Sequence, residues 1–349
     1  LTKRRAPQRS QKFYQAMPKV ELHRHLEGSV RLSTLVDVAR AYGLTIPNTG
    51  QLRSLVQVNE EDPYTFKNFL SKFQTLRLFY RSPDIIGRIT REAIVDAAAD
   101  NVRYLELRFT PVALGREQGF SLKEVVEWVI AAAQQAEQVT GTIVRLIMSI
   151  NRHESLELAE EVMRLACDYR QRGVVALDLA GDESSSPATP FIPLFREAKQ
   201  AGLHVVIHAG EWNGPENVVE AIEAFGAERI GHGVRVMEDP AAIALARERQ
   251  PVFEVCVTSN YQSGVVTPSQ PHPLTDMLAA GLNVTINTDD PSISQITLSD
   301  EYRRVCDEQG LSLDQLEERV LAAARAAFLS EAERQELIES LSQEIGVAG

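Results

Sequence analysis

The sequence predicts an α/β fold, a (β/α)8 (TIM) barrel with a helical insertion after strand 1 and extra C-terminal helices. Three observations predict it. Eight short runs rich in Val, Ile and Leu recur along 349 residues, as parallel strands covered on both faces tend to be. Helical patterns with start and stop signals lie between these runs. No G-x-G-x-x-G follows the first run, which weighs against an open doubly wound sheet.

The expected strands span residues 19–25, 102–110, 143–150, 174–180, 203–209, 229–233, 252–259 and 283–289. Between them, "SLKEVVEWVIAAAQQAEQVTG" opens on a Ser/Glu capping box and closes on Gly141. "SLELAEEVMRLACDYRQRG" repeats the arrangement and ends at Gly173. "GPENVVEAIEAFG" and "HPLTDMLAAG" are shorter helices of the same kind. The first crossover is too long for a simple loop, at about 75 residues. It holds two helical patterns, and Phe66, Phe69, Leu70 and Phe73 fall on one stripe of the second. That stripe is expected to pack on the barrel rim, with the alternative that it forms an apolar lid. After residue 310 the chain reads as helices, with Ser330 capping the last one. The expected organisation is a disordered basic tail over 1–17 and a single barrel domain over 18–349, with a helical lid at about 30–100.

Composition narrows the function. Hydrophobic residues make up 44% and charged residues 24%, enough for a sizeable core. A net charge of -12 argues against nucleic acid or an anionic membrane as partner. Three cysteines without a C-x-x-C pair suggest a reducing compartment, hence the cytoplasm. No apolar run reaches the roughly 20 residues of a membrane span. "LTKRRAPQRSQK" lacks the apolar core of a secretory signal.

The chemistry starts from "VELHRHLEG". Alternate residues of a strand point the same way, so His23 and His25 project together. H-x-H alone is a weak signal. The fifth strand, however, ends in "HAGE" with His208, the sixth carries "GHG" with His232, and the eighth ends in "TDDP" with Asp289 and Asp290. In a barrel these groups meet at one mouth. Three imidazoles and a carboxylate suit zinc with a position left for water. Glu211 could then pass a proton to a substrate, and His232 could orient or deprotonate the water. No lysine ends the fourth strand, "DLAGDE", so one metal per chain is favoured over two.

Taken together, "PKVELHRHLEG", "LDLAGDE", "HAGE", "RIGHGVR", "CVTSN" and "INTDDP" resemble, in order, the motifs of the adenosine deaminase family of metal-dependent hydrolases. The resemblance runs from about Pro18 to the C-terminal helices. It implies zinc on His23, His25, His208 and Asp289, with Glu211 as proton donor to purine N1. It further implies that His232 positions the attacking hydroxide, that Asp290 bonds N7 and that Gly181 offers its N–H to N3. His25 and Glu27 would also face the substrate. One position departs: Glu27 stands where the nucleoside enzymes usually have an aspartate facing the ribose 5′-hydroxyl.

The expected partner is a small purine nucleoside, adenosine or 2′-deoxyadenosine first. Modified adenine nucleosides such as aminodeoxyfutalosine come next, then free adenine. A non-catalytic metal- or nucleoside-binding barrel and a hydrolase of a cyclic amide are the alternatives from other classes. The sequence leaves the oligomeric state open. Several other residues read as structural. His153 is expected on a surface loop, His204 at the barrel bottom and His272 at a helix entry. Cys256 reads as a buried apolar residue, Ser184–Ser186 as a loop, and Glu106 with Arg108 as an ion pair. Asp182 and Glu183 are expected to hold that loop or screen the site.

Overall fold

The computed structural model describes residues 9–46 and 48–348. Its strands are β1 Lys19–His25, β2 Val102–Phe109, β3 Ile143–Asn151, β4 Val174–Ala180, β5 His204–Ala209, β6 Arg229–His232, β7 Val252–Val255 and β8 Asn283–Ile286. Each pairs in parallel with the next, in sequence order. The ring closes where β1 ends. Arg24 and Asp289 form a parallel bridge. The His25 N–H donates to Asp289 O and the Asp289 N–H to His23 O, each at 2.8 Å. The closure is therefore built from the residues that carry the expected chemistry.

The helices start and stop where their caps dictate. Ser121 and Glu124 form a reciprocal capping box, and Gly141 ends that helix with φ 74°. A side chain would be strained in this left-handed conformation. Between β1 and β2 lie α2 Leu32–Tyr42, α3 Thr49–Val56, α4 Phe66–Leu76 and α5 Pro83–Ala99, preceded in the chain by α1 Gln11–Ala16. α5 buries Ile86, Ile89, Ala93 and Ile94 against the barrel. α4 lies over the mouth, where Phe69, Leu70 and Phe73 line the cleft and Phe66 stays partly exposed. The C-terminal helices are Leu298–Asp307, Leu313–Ala326 and Glu331–Ala348. Ser330 and Glu333 exchange hydrogen bonds at the start of the last. No helix among the described residues is long and apolar enough to cross a membrane.

Three expectations are corrected. The strand expected over 252–259 stops at Val255, and Val257–Gln262 is a helix. Strand propensity is overridden there by Glu301, whose carboxylate takes the Thr258 N–H at 3.2 Å and the Thr258 hydroxyl. The disordered tail expected to residue 17 gives way from Ser10 onward. The Ser10 side chain caps α1, and Tyr14 and Met17 are buried. Residues 1–8 of that tail lie outside the described residues. Glu106 and Arg108 do not pair with each other. Glu106 binds Arg229, while Arg108 reaches Glu254 at 2.7 Å and Asp178 at 3.4 Å.

These last pairs make the barrel interior ionic below the mouth. Arg108, Arg229, Glu106, Glu254 and Asp178 are all 1% exposed or less. Buried charges at this depth persist only when paired and hydrogen-bonded. The pairing holds the Glu254 and Asp178 carboxyls below their usual range, against the upward push of burial.

Candidate active site

The C-terminal ends of the strands open into one cleft. It is lined by His25 at the end of β1 and Glu27 after it, Thr110 after β2, Asn151 and His153 around the end of β3, and Gly181 and Asp182 after β4. His208, Glu211, His232, Asp289 and Asp290 line the rest, and α4 roofs it. All the residues expected at the site except His23 border this cleft. His23 lies directly beneath, with its ring centroid 5.2 Å from that of His25 and 4.8 Å from those of His208 and His232.

Two of the imidazoles, His23 and His208, are aimed by a carboxylate behind them. His23 Nδ1 meets Glu254 Oε2 at 2.8 Å, and His208 Nδ1 meets Asp178 Oδ1 at 2.9 Å. Engaging the Nδ1 atoms leaves the Nε2 atoms for the cleft. Arg108 links Glu254 and Asp178, so one guanidinium fixes both supports. Gly231 makes room for the rings. A Cβ there would stand 3.1 Å from His208 Cγ and 3.1 Å from His23 Cε1.

The donor set fits a divalent cation. Ligand atoms of His23, His25 and His208 lie within 4.8 Å of one another. Asp289 Oδ1 stands 3.2 Å from His23 Nε2 and 3.3 Å from His25 Nε2. His23 Nε2 is buried without a hydrogen-bond partner, a cost that a metal bond would remove. Asp289 is held in place by the Ser259 hydroxyl, which donates to Oδ2 at 2.6 Å. Asp289 and His232 both take positive φ, 67° and 60°, a backbone conformation costly for residues with side chains and concentrated at functional sites. The Cys256 thiol also lies near His23 and Asp289. Burial pushes its pKa well up, which keeps it protonated.

Around this cluster stand three carboxyls with shifted acidities. Glu211, 5% exposed, is pushed well above the usual carboxylate range by burial, then by Asp289 and Glu183. Asp290 is likewise raised well above its usual range by burial and by the neighbouring Asp289 and Glu27. Burial raises Glu27 to about 7. Its Oε1 accepts the Thr110 N–H at 2.6 Å, while Oε2 is buried without a partner. The Gly181 backbone turns at φ 94°, where glycine is at ease.

The loop carrying Glu211 is clamped from three sides. Glu183 accepts the N–H groups of Gly210, Glu211, Trp212 and Asn213 at 2.7, 3.0, 2.9 and 3.1 Å. Arg235 binds the carbonyls of Gly210 and Trp212, each at 3.0 Å. Arg152 donates to the His208 carbonyl.

The chain matches the adenosine deaminase family over residues 18–344. The chain belongs to the adenosine deaminase family. It is 35% identical over 330 residues to the adenosine deaminase of Klebsiella pneumoniae strain 342, covering 94% of this chain and 98% of that protein. A zinc-bound amidohydrolase of Burkholderia ambifaria superposes with a TM-score of 0.89 at 27% identity, covering 97% of this chain and 93% of that one. The Arabidopsis protein ADAL, in complex with IMP, gives 0.87 at 28% identity, covering 97% and 100%. The family resemblance read from six short motifs thus extends over nearly the whole chain.

The residues read as structural divide. His204 pairs with Glu228 at 2.5 Å and stacks on Phe328, outside the cleft. His153 borders the cleft with its side chain 46% exposed. Asp182 accepts hydrogen bonds from Ser184 and Ser185 and so shapes their loop. His272 is buried and bonded to Asn260, which in turn reaches His232. Sequence reasoning did not single out Asp178, Glu254, Ser259 or Asn260. Asp178 and Glu254 sit mid-strand in apolar runs, and that misfit of a carboxylate with its neighbours was the available signal.

Proposed function

We propose that this adenosine deaminase family member hydrolyses adenosine and 2′-deoxyadenosine to inosine and 2′-deoxyinosine with release of ammonia. The observation that carries the reading is Glu211, a buried carboxyl with raised pKa beside the imidazole cluster. Such a carboxyl holds its proton more firmly than an exposed one and can give it to a ring nitrogen.

His23, His25, His208 and Asp289 would hold one divalent cation, and this donor set suits zinc. When bound, the cation lowers the pKa of a water so that hydroxide is available near neutrality. The protein groups act on the purine around it. Glu211 gives its proton to N1 as oxygen bonds to C6, which makes C6 electrophilic. Asp290, with its raised pKa, donates to N7, and the Gly181 N–H bonds N3. His232 positions the attacking oxygen. The proton of the new C6 hydroxyl passes to the amino group, the C6–N bond breaks as C6 becomes a carbonyl, and ammonia leaves. The proton lost by water restores the one Glu211 gave, so water and nucleoside become the 6-oxopurine nucleoside and ammonia.

Glu27 supports a nucleoside over a free base or a nucleotide. Its unpartnered Oε2 can accept a ribose hydroxyl, and free adenine would leave that atom unpaired. A 5′-phosphate would meet a second acidic group there. Three unpaired cysteines agree with a cytoplasmic enzyme.

The test is an ultraviolet assay of purified protein with adenosine, deoxyadenosine, adenine, AMP and aminodeoxyfutalosine, with and without chelator. Loss of the aminopurine chromophore is expected first with adenosine and deoxyadenosine. Chelation should abolish it and zinc restore it. Ammonia release from none of these by zinc-loaded protein overturns the reading.

A further inference from the structure

Four groups in a row run from a backbone amide to the site. The Leu274 N–H donates to His272 Nδ1 at 3.1 Å. His272 Nε2 meets Asn260 Oδ1 at 3.0 Å. Asn260 Nδ2 meets His232 Nδ1 at 3.2 Å. The three side chains are 1% exposed or less.

The polarity of this row is set at its far end. A backbone N–H can only donate, so His272 Nδ1 accepts and the ring carries its proton on Nε2. That N–H must then face an acceptor, the Asn260 carbonyl oxygen. The Asn260 amide nitrogen is left facing His232, and it can only donate. His232 Nδ1 therefore accepts. A neutral ring that accepts at Nδ1 holds its proton on Nε2. Burial supports the neutral form of the far ring by pushing the His272 pKa down to about 3. The surroundings agree, since His232 Nε2 faces the Asp289 carboxylate, with Oδ2 at 3.9 Å. A bare lone pair would be repelled there.

We infer that Asn260 and His272 are positioning residues that lock His232 as its Nε2–H tautomer, so that His232 donates a hydrogen bond to the attacking oxygen and accepts no proton from it. The inference builds on the proposed deamination and settles which of two roles His232 takes. It also gives a reason for the helix over Val257–Gln262, which places Asn260 between the two histidines.

The experiment is nitrogen-15 NMR of histidine-labelled, zinc-loaded protein, with His232 assigned by its absence from His232→Gln. The wild type is expected to show a neutral ring protonated on Nε2. Asn260→Asp offers only acceptors to both rings, so His232 should move its proton to Nδ1. In that variant kcat should fall about 100-fold, with KM within about threefold, as expected when a histidine is held in the wrong tautomer. His272→Glu is a second route to the same flip, because an acceptor at 272 turns the Asn260 amide round. His272→Gln keeps a donor and should keep the wild-type tautomer. A wild-type ring protonated on Nδ1 overturns the inference. So does a flipped tautomer in Asn260→Asp with kcat unchanged. An Nε2–H ring in a protein that releases no ammonia from adenosine supports the tautomer and overturns the substrate reading instead.

Discussion

The carboxylate of Glu183 accepts the backbone N–H of Glu211 at 3.0 Å. The Glu211 side chain itself receives no hydrogen bond among the described residues, and its Oε1 stands 3.6 Å from His232 Nε2. The position of the proposed proton donor is thus inherited from its backbone, which Glu183 holds.

Glu183→Gln tests this dependence. Oε1 accepts from Gly210 N and Asn217 Nδ2, and Oε2 from the N–H groups of Glu211, Trp212 and Asn213. Every partner is a donor, so either orientation of an amide sets NH2 against N–H. The expected loss in kcat is roughly 100-fold, the scale of an ångström-sized misplacement. Hydrogen exchange over 209–214 should accelerate in the same variant. Unchanged exchange and kcat would refute the clamp.

Glu211→Gln removes the proposed proton donor without changing its size. The expected loss in kcat is about 10²- to 10⁴-fold. The sign of the pH effect follows from the raised pKa. The wild-type acid is active while protonated, so its rate falls as pH rises through the raised pKa. The variant should lack that alkaline limb. A kcat profile of the same shape in both proteins counts against the assignment.

Gly231→Ala places a Cβ against His208 and His23, 3.1 Å from a ring carbon of each. Both rings are backed by carboxylates and cannot withdraw. Zinc affinity should drop about 10- to 100-fold, as when the supports of metal-binding histidines are disturbed. Competition with a chromophoric chelator reads this without reference to turnover.

Glu301 links stability to pH. Burial raises its pKa from 4.5 to about 7. Between those values the folded chain keeps a proton that the unfolded chain has released, so stability falls as pH rises through the window. The full contribution is on the order of 3 kcal/mol. Urea unfolding of Glu301→Gln should vary less between pH 5 and pH 8 than that of the wild type. An equal pH dependence in both would show that Glu301 does not ionise there.

Order along the chain determined much of this protein. Eight Val/Ile/Leu-rich runs separated by capped helices are enough for the barrel, because period and caps are local properties. His23, His25, His208, His232, Asp289 and Asp290 were legible as one group, because parallel strands end at one rim. The tertiary structure alone decided what holds them. Asp178 and Glu254 become supports for histidines only once β4 stands beside β5 and the closed ring brings β7 across from β1, with β8 between them. Glu106 and Arg108, two residues apart, pair with different partners because the interior offers each a closer opposite charge. "CVTSN" reads as strand until Glu301, far along the chain, bonds the Thr258 N–H and winds it into the helix that carries Asn260 to His232. Local pattern sets backbone shape, but the pairing of buried polar groups depends on which segments the fold brings within hydrogen-bond reach.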